Sequence, residues 1–407
     1  MSSAVAIVIV CSGLVLLLSG IVLLARSWLM PGGSAIVTIN GRQQLTAAAG
    51  ERLLWVLAGQ GVLLPAACGG RGSCGQCRVQ VTRGGGAILP VESAMISRRE
   101  AAAGARLACM VTVRQDLAIA VPDSVLEAQR CVGIVESNQS ITTFLKELTI
   151  RLPESASFQF AAGDYVVIEA PAGTTTFGQF DIAEPYRKAW DQKDLWNMAV
   201  KRRAPATRAY SMANAPSPDG KLQFVIRIAL PPPGARRRAP PGQVSSFLFG
   251  LQEGQELTIA GPFGDFHVRD SEAEMVFVGG GAGIAPLRAM IVDQLENRKS
   301  KRRISLWYGA RDAGEICYRA ELDELARRYA NFSWFAALSD LHVTPDWEGY
   351  RGFVHAVLRD QYMEAHPSPE ELEFYLCGPP LMSGAVTAML EDFGVPPDNI
   401  LFDDFGS

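Results

Sequence analysis

The sequence has little of several features that would point to common classes of binding protein. The formal net charge of its 407 residues is only −4, so bulk electrostatics favour neither nucleic acid nor an acidic substrate as a partner. Its four histidines are scattered without the spacing of metal ligands, and no internal repeat or low-complexity tract is evident. The chain is also too long for one compact core, so two or three domains are expected.

A cysteine pattern typical of disulfide frameworks is absent as well. Cys11, Cys131, Cys317 and Cys377 follow no pairing pattern in the sequence. Disulfides are rare in reducing compartments. The lack of a pairing pattern therefore indicates that the body of the protein lies in a reducing compartment.

Four other cysteines share a glycine-rich context, CGGRGSCGQC followed by a distant LACM; they are Cys68, Cys74, Cys77 and Cys109. The spacing is C-x5-C-x2-C plus one remote cysteine, which predicts a [2Fe–2S] cluster with three thiolates from one tight loop. The first gap is one residue longer than in plant-type ferredoxins and resembles the adrenodoxin-like variant. A zinc site or a set of buried thiols is the alternative, which is disfavoured because zinc ligands usually come as two separated C-x2-C pairs.

The N-terminal segment is apolar. No charged residue occurs between Ala4 and Ala25, and as a helix this stretch would extend ~33 Å, the thickness of a bilayer core. A single transmembrane helix is therefore expected over residues 1–26. A signal peptide is the rival interpretation, but no Lys or Arg precedes the apolar run. Arg26 on the C-terminal side weakly favours a body that faces the cytoplasm.

Local patterns divide the rest of the chain into three parts. Residues 34–129 give a strand pair, a helix over 46–61, the cysteine loop and another strand, an order that resembles the β-grasp ferredoxin domain (α+β). Residues 130–269 give short strands separated by turns, which predicts an antiparallel β-barrel. Residues 270–407 alternate strands with helices, which predicts an α/β domain with a parallel sheet.

An insertion over residues 174–206 interrupts the predicted barrel. It carries Tyr186, Trp190 and Trp196 among mixed charges. A solvated surface excursion and a docking surface are both open interpretations of it.

The barrel segment ends in a signature for a flavin. The pattern R-x-Y-S at residues 208–211 resembles that of ferredoxin–NADP⁺ reductase-like flavoproteins, and a second short pattern, G-Q-V-S-S, follows downstream. The resemblance implies an arginine on the FAD pyrophosphate, a tyrosine against the isoalloxazine, a serine near the hydride-accepting N5, and a helix start that faces the pyrophosphate. The residues concerned are Arg208, Tyr210, Ser211, Gly242 and Ser245. The Ser245–Ser246 pair is also open to interpretation as an ordinary helix N-cap, a role that is compatible with the first.

Two further turns resemble the nicotinamide side of the same superfamily. The turn GGGAGIAP at 279–286 is not G-x-G-x-x-G, so the Rossmann dehydrogenase fingerprint fails, but it resembles the superfamily's GGG-[TA]-G-[IL]-[AT]-P turn. The motif CGPP at 377–380 resembles the second such turn. The implied NADH-binding residues are Gly280, Gly281, Gly283, Gly378 and Pro379. Cys377 and the near-terminal Phe405 are implied to act beside Ser211 in catalysis, Phe405 as a lid over the flavin. The alternative for Cys377 is a buried structural cysteine, and the alternative for Phe405 is that it belongs to a frayed acidic C-terminus.

Across nearly the whole chain this combination resembles the F subunits of the Na⁺-translocating NADH:quinone oxidoreductases, bacterial inner-membrane complexes. The resemblance implies that NADH reduces bound FAD, and that electrons pass singly through the [2Fe–2S] cluster to other membrane subunits and finally to ubiquinone, coupled to sodium transport. It implies no nucleic-acid partner. A membrane-anchored reductase component of a multicomponent oxygenase is the second interpretation. A non-catalytic assembly protein with vestigial cofactor sites is the third.

Overall fold

The computed structural model describes residues 12–21, 33–66, 68–154, 156, 158–231, 239–340, 344 and 346–403. The chain divides into two compact units, Met1–Leu126 and Glu127–Ser407. Residues 12–21 form helix α1. Within the described part of the chain, no helix is both long enough and apolar enough to cross a bilayer. Most of the segment expected to span the membrane, residues 1–26, lies outside the described residues.

The first unit is built on a mixed five-stranded sheet in the order β2-β1-β5-β3-β4. Its elements in chain order are β1 Ser34–Ile39, β2 Gln43–Ala48, α2 Leu53–Gly59, β3 Arg78–Arg83, α3 Pro90–Ser93, α4 Arg98–Ala102, β4 Ala105–Leu107, β5 Leu117–Ala120 and α5 Asp123–Glu127. Strand β1 pairs antiparallel with β2 and parallel with β5, and α2 buries its leucines in the core beneath the sheet. This is the expected β-grasp arrangement.

The helix expected over residues 46–61 is wrong in its first half. Residues 46–48 belong to β2, where Ala48 pairs with Ser34, and α2 begins only at Leu53. Gly50 separates the two elements with a φ of +99°. Sheet pairing satisfies the backbone of the alanines and outweighs their helix propensity, which is a weak determinant by comparison.

A buried ion pair holds the segment that leads to Cys109. The fully buried Glu92 accepts hydrogen bonds from Arg106 Nε at 2.9 Å and from the Leu107 backbone N–H at 3.0 Å. Burial alone would raise the pKa of Glu92, but its hydrogen bonds from Arg106 and from backbone N–H groups lower that pKa. Because both carboxylate oxygens are engaged, the pair is buried without an orphaned charge.

The second unit begins with an antiparallel barrel of six strands in the order β11-β8-β13-β6-β7-β12. An isolated antiparallel bridge between Met212 and Phe224 joins its two outer strands and closes it. Its elements and those of its insertion are β6 Gln129–Thr142, β7 Leu145–Arg151, β8 Tyr165–Ala170, β9 Gly173–Thr176, α6 Glu184–Gln192, β10 Ala199–Arg202, β11 Ala206–Ser211, β12 Lys221–Arg227, α7 Gln243–Phe249 and β13 Glu256–Phe263. The predicted barrel is confirmed.

The insertion is not a simple surface excursion. Trp190 on α6 is fully buried, its Nε1 donates to the Thr143 carbonyl at 2.8 Å, and its ring packs against Phe177, Phe180 and Phe249. The interpretation of this segment as wholly solvated is therefore wrong for Trp190. Burial of so large an aromatic side chain makes the insertion part of the barrel's core.

The remainder of the unit is a six-stranded parallel sheet in the order β17-β16-β15-β14-β18-β19. Its elements are β14 Met275–Gly280, α8 Ile284–Val292, β15 Ile304–Ala310, α9 Arg319–Arg328, β16 Phe332–Leu338, β17 Tyr350–Arg351, α10 Val354–Gln361, β18 Glu373–Cys377, α11 Pro380–Asp392 and β19 Ile400–Asp403. Alternate residues of β14 face two different hydrophobic cores, one shared with α8 and α9 and the other with α10 and α11. The sheet is thus covered by helices on both faces, as parallel sheets require.

Candidate functional site

The cysteine loop between α2 and β3 depends on glycine. Gly70 and Gly72 have φ values of +81° and +78°, a region that residues with a Cβ seldom adopt. The loop also lies close to its support, because a Cβ on Gly70 would be 3.1 Å from the Trp55 ring. The glycines of this loop therefore allow the tight backbone turns that the sequence predicts for it.

The four predicted ligand sulfurs come together in two pairs. The thiols of Cys77 and Cys109 lie close enough that each shifts the pKa of the other, although Cys109 lies far along the chain, and Cys68 and Cys74 influence each other in the same way. Among the described residues, no group of three or more His, Cys, Asp or Glu side chains is arranged to hold a single metal ion. A diiron cluster needs two thiolates on each iron, and this two-plus-two arrangement of sulfurs fits that requirement.

Hydrogen-bond donors surround these sulfurs. The Arg71 backbone N–H lies 3.3 Å from Cys68 Sγ, and the same residue's Nε donates to the Cys68 carbonyl at 2.8 Å. Burial alone would raise the pKa of the Cys68 thiol, but hydrogen bonds from Ser73, Cys74 and Arg71 lower it to about 6. Arg52 adds a second cation, which donates to the Cys109 carbonyl at 2.5 Å. The pKa of Cys109 is also lowered, chiefly by Cys77, whereas burial raises the pKa of Cys74 and the contact with Cys109 raises that of Cys77. The donors therefore favour thiolates at Cys68 and Cys109, one in each pair of sulfurs.

The flavin signature lies on β11, an outer strand of the barrel that pairs with β8. Arg208 is exposed, Tyr210 is half-buried, and Ser211 at the strand's end is buried. Helix α7 packs against both β8 and β11. The start of α7 and the signature strand thus belong to the same part of the barrel.

Space at the start of α7 is restricted. A Cβ on Gly242 would lie 2.6 Å from Ser245 Oγ and 2.7 Å from the Ala229 side chain, so this position requires glycine. The Ser245 hydroxyl accepts from the Ala229 backbone N–H at 3.2 Å and lies 3.4 Å from the Gly242 carbonyl. The N-cap position belongs to Gly242, so the alternative that Ser245 and Ser246 are an ordinary N-cap is wrong.

The two nicotinamide-side turns lie side by side at the carboxyl ends of β14 and β18, which are adjacent and parallel. A Cβ on Gly283 would lie 2.0 Å from the Cys377 carbonyl oxygen, so the two turns touch through their backbones. A Cβ on Gly378 would likewise overlap Met382. Strand order reverses direction along the sheet at β14, and ligands of open α/β sheets bind outside such a switch point.

A residue that sequence reasoning missed joins the two halves of this unit. Ser211 Oγ donates a 3.0 Å hydrogen bond to Asp403 Oδ2 at the end of β19. In the sheet, Asp403 pairs with Cys377, which pairs with Gly279. The end of the flavin strand therefore contacts the end of β19, which is paired with β18 and through it linked to β14.

The other two residues predicted to act in catalysis are Cys377 and Phe405, and the structure describes only the first. Cys377 is fully buried within the core beneath α8, and its backbone carbonyl faces Gly283. Phe405 lies outside the described residues. The signal that would have revealed Asp403 is the pairing of a C-terminal strand with β18, which no local pattern in the sequence contains.

Three family models match the chain in the same order as these sites. A 2Fe-2S iron-sulfur cluster binding domain matches residues 37–114, an oxidoreductase FAD-binding domain matches 195–268, and an oxidoreductase NAD-binding domain matches 277–388. The three kinds of cofactor site expected from the sequence are therefore those of its matched domains.

Full-length relatives decide the family. The F subunit of a Na(+)-translocating NADH-quinone reductase from Marinomonas sp. is 48% identical over 399 residues, which cover 98% of this chain and 98% of the relative. The F subunit from Pseudomonas aeruginosa is also 48% identical, and the match covers 97% of each chain. The chain belongs to the F-subunit family of Na(+)-translocating NADH-quinone reductases. The resemblance inferred from its motifs is confirmed.

Two solved structures of reductases share this fold. The Amycolatopsis cytochrome P450 reductase GcoB aligns with a TM-score of 0.65 at 25% identity, covering 91% of this chain and 98% of that one. The ferredoxin reductase in carbazole 1,9a-dioxygenase aligns with a TM-score of 0.60 at 24% identity, covering 92% and 98%. Both show that the fold is shared by reductases with different partners.

Proposed function

We propose that this chain is the NADH-oxidising, electron-input component of a sodium-translocating NADH:quinone reductase. The observation that supports transfer from NADH to flavin is the Ser211–Asp403 hydrogen bond, which joins the end of the flavin strand to the end of β19 beside the nucleotide turns. The full-length relatives support the assignment to a sodium-translocating quinone reductase. When bound, FAD would supply the two-electron and one-electron redox chemistry that this function needs. The protein's own contribution is placement and electrostatics.

On the flavin side, we assign binding of FAD to the strand and helix start described above. Arg208 is exposed at the edge of the barrel, where its guanidinium can bind a pyrophosphate. Tyr210 would lie against the isoalloxazine, and Ser211 would contact the flavin near N5. Gly242 and Ser245 shape the start of α7, where a side chain at position 242 would collide with Ser245 and Ala229, and we assign the pyrophosphate to this helix start.

On the nucleotide side, the backbone of the two touching turns would bind NADH. The close approach at Gly283 and Gly378 leaves no space for larger residues. Gly280, Gly281 and Pro379 complete this surface. Cys377 would border the nicotinamide, and Phe405 would cover the flavin until nicotinamide displaces it.

In the first unit, the paired sulfurs of Cys68, Cys74, Cys77 and Cys109 would ligate the [2Fe–2S] cluster. The domain limits that we propose are 34–129 for the cluster domain, 130–269 for the FAD domain and 270–407 for the NADH domain. Linking the three in one chain raises the local concentration of each electron acceptor near its donor.

We further propose that residues 1–26 anchor the chain as a single helix in the bacterial inner membrane, with the body facing the cytoplasm. The observation in support is the exposure of apolar side chains on α1. Six of them are more than half exposed: Leu14, Val15, Leu16, Leu17, Leu18 and Ile21. A helix that exposes so many apolar side chains is expected to be stable in lipid rather than in water.

Isolation of the native assembly tests this function against an oxygenase reductase, whose fold is shared. A C-terminal tag would interfere with the proposed lid, so the tag is placed in the linker near Gly33. We expect detergent-solubilised complexes to contain hydrophobic membrane proteins and to catalyse NADH-dependent ubiquinone reduction that sodium stimulates. Co-purification with an oxygenase, without quinone reduction, would instead assign the chain to an oxygenase system.

A further inference from the structure

Arg288 occupies a distinctive place between the barrel and the nucleotide domain. It lies on α8, about one turn after the helix begins, and α8 directly follows the glycine turn assigned to NADH. Its side chain is only 14% exposed. A buried guanidinium so close to the nucleotide turn needs several acceptors, and these lie on both sides of the boundary.

The contacts of Arg288 to the barrel are directional. Nη1 donates to the Ala213 carbonyl at 2.6 Å and to Gln223 Oε1 at 3.1 Å. Ala213 is two residues beyond Ser211, and its backbone N–H donates to the Gln223 carbonyl at 2.7 Å. The guanidinium therefore contacts the barrel where its two outer strands meet, immediately after the flavin strand.

Its contacts within the nucleotide domain fix the other side. Nε donates to Glu321 at 2.8 Å, and the guanidinium stacks over the Tyr318 ring at 4.5 Å. Burial alone would lower the pKa of Arg288, but its hydrogen bond to Glu321 raises it. The Arg288 guanidinium thus keeps its charge and its rigid geometry although it is mostly buried.

A second bond crosses the same boundary beside the first. The Tyr318 hydroxyl donates to Glu147 Oε2 on β7 at 2.7 Å. Tyr318 has a left-handed backbone, with a φ of +55°, which is strained for a residue with a bulky side chain. A strained backbone of this kind persists where neighbouring groups hold the residue in place. For Tyr318 these neighbours are Arg288 and Glu147.

From this arrangement we propose that Arg288 is a positioning residue for hydride transfer, which sets the start of α8, and with it the nicotinamide, against the flavin strand. The inference rests on the proposed NADH oxidation. The hydrogen bonds and the stacking contact of one planar fork define both distance and angle between the two domains. A lysine ammonium cannot reproduce them, because it is a compact charge on a flexible stem.

The test is anaerobic stopped-flow reduction of the purified full-length flavoprotein by NADH, with Arg288→Lys compared with wild type. We expect the limiting rate of flavin bleaching, per bound flavin, to fall by about 10- to 100-fold, since a displacement near 1 Å has that effect on a reaction. The NADH dissociation constant should change little, because the nucleotide turn itself is intact. Arg327→Lys on α9 is the matched control, since its ion pair with Glu324 is exposed, and it should behave as wild type.

Other outcomes separate the possibilities. An unchanged limiting rate in Arg288→Lys would overturn the inference, as would a purely structural effect, in which flavin content falls but the rate per bound flavin does not. If this variant cannot hold FAD, Gln223→Ala removes an acceptor of Arg288 Nη1 on the barrel side and should slow reduction about tenfold. A wild-type rate in that variant would also overturn the inference. Failure of NADH to bleach the wild-type flavin would contradict the proposed function instead.

Discussion

Cys68→Ala is expected to retain reduction of FAD by NADH while losing the reduced-cluster signal in electron paramagnetic resonance and reduction of quinone. Cys68 supplies one sulfur of a two-plus-two set and accepts backbone hydrogen bonds that favour its thiolate. Loss even of residues that support metal ligands lowers metal affinity by about 10- to 100-fold, so quinone reduction should fall by at least about 100-fold. The measurement compares NADH-dependent flavin bleaching with quinone reduction in the same preparation.

Cys131→Ala is the matched control for this experiment. Cys131 is also a buried cysteine, but it lies in the barrel core and away from the cysteine loop in sequence. It should keep both the cluster signal and quinone reduction. Equal loss of flavin reduction and quinone reduction in well-folded Cys68→Ala would contradict the proposed division of labour between flavin and cluster.

Gly283→Ala is expected to abolish most NADH oxidation without disturbing either cofactor. The added methyl group would lie 2.0 Å from the Cys377 carbonyl oxygen, so the two nucleotide turns must separate. A displacement of about 1 Å in a reacting geometry lowers rates by about 100-fold, and we expect a loss of at least that size in NADH-dependent flavin reduction. Reduction of the flavin by dithionite should be unaffected, which distinguishes a damaged NADH site from loss of FAD.

A glycine in helix α11 offers a sharp control. Gly384 lies within α11, and a Cβ there would meet no atom within 4 Å. Gly384→Ala should retain full NADH oxidation and gain roughly 0.5–1 kcal/mol in stability from its helix propensity. Wild-type NADH oxidation in Gly283→Ala would show that the contact between the two turns is not needed for nucleotide binding.

Local sequence patterns predicted much of this protein because its chemistry is encoded locally. The spacing of Cys68, Cys74 and Cys77 reflects one tight loop, and the glycines around them are those whose φ values are positive. The barrel and the parallel sheet are both present, as the patterns of residues 130–269 and 270–407 predicted, but β19 was not predicted. Periodicity and turn chemistry suffice for such elements.

Features that depend on distant pairing could not be predicted in the same way. Trp190 is core only because the insertion folds back onto α7, and residues 46–48 are strand only because β1 offers them a partner. Asp403 reaches Ser211 through the order of β19 and β18 in the sheet. Arg288 contacts Ala213 across a boundary between domains. Register and strand order set these contacts, and a single sequence carries no local record of either.

The central claim is that one chain holds an NADH-reducible flavin and a diiron cluster that accepts its electrons. Anaerobic titration of the purified full-length protein with NADH tests it most directly, with visible absorbance following the flavin and electron paramagnetic resonance following the cluster. The account predicts that the flavin bleaches and that the signal of a reduced [2Fe–2S] cluster grows in the same titration. A bleached flavin beside a site that holds zinc, or no metal at all, would contradict it.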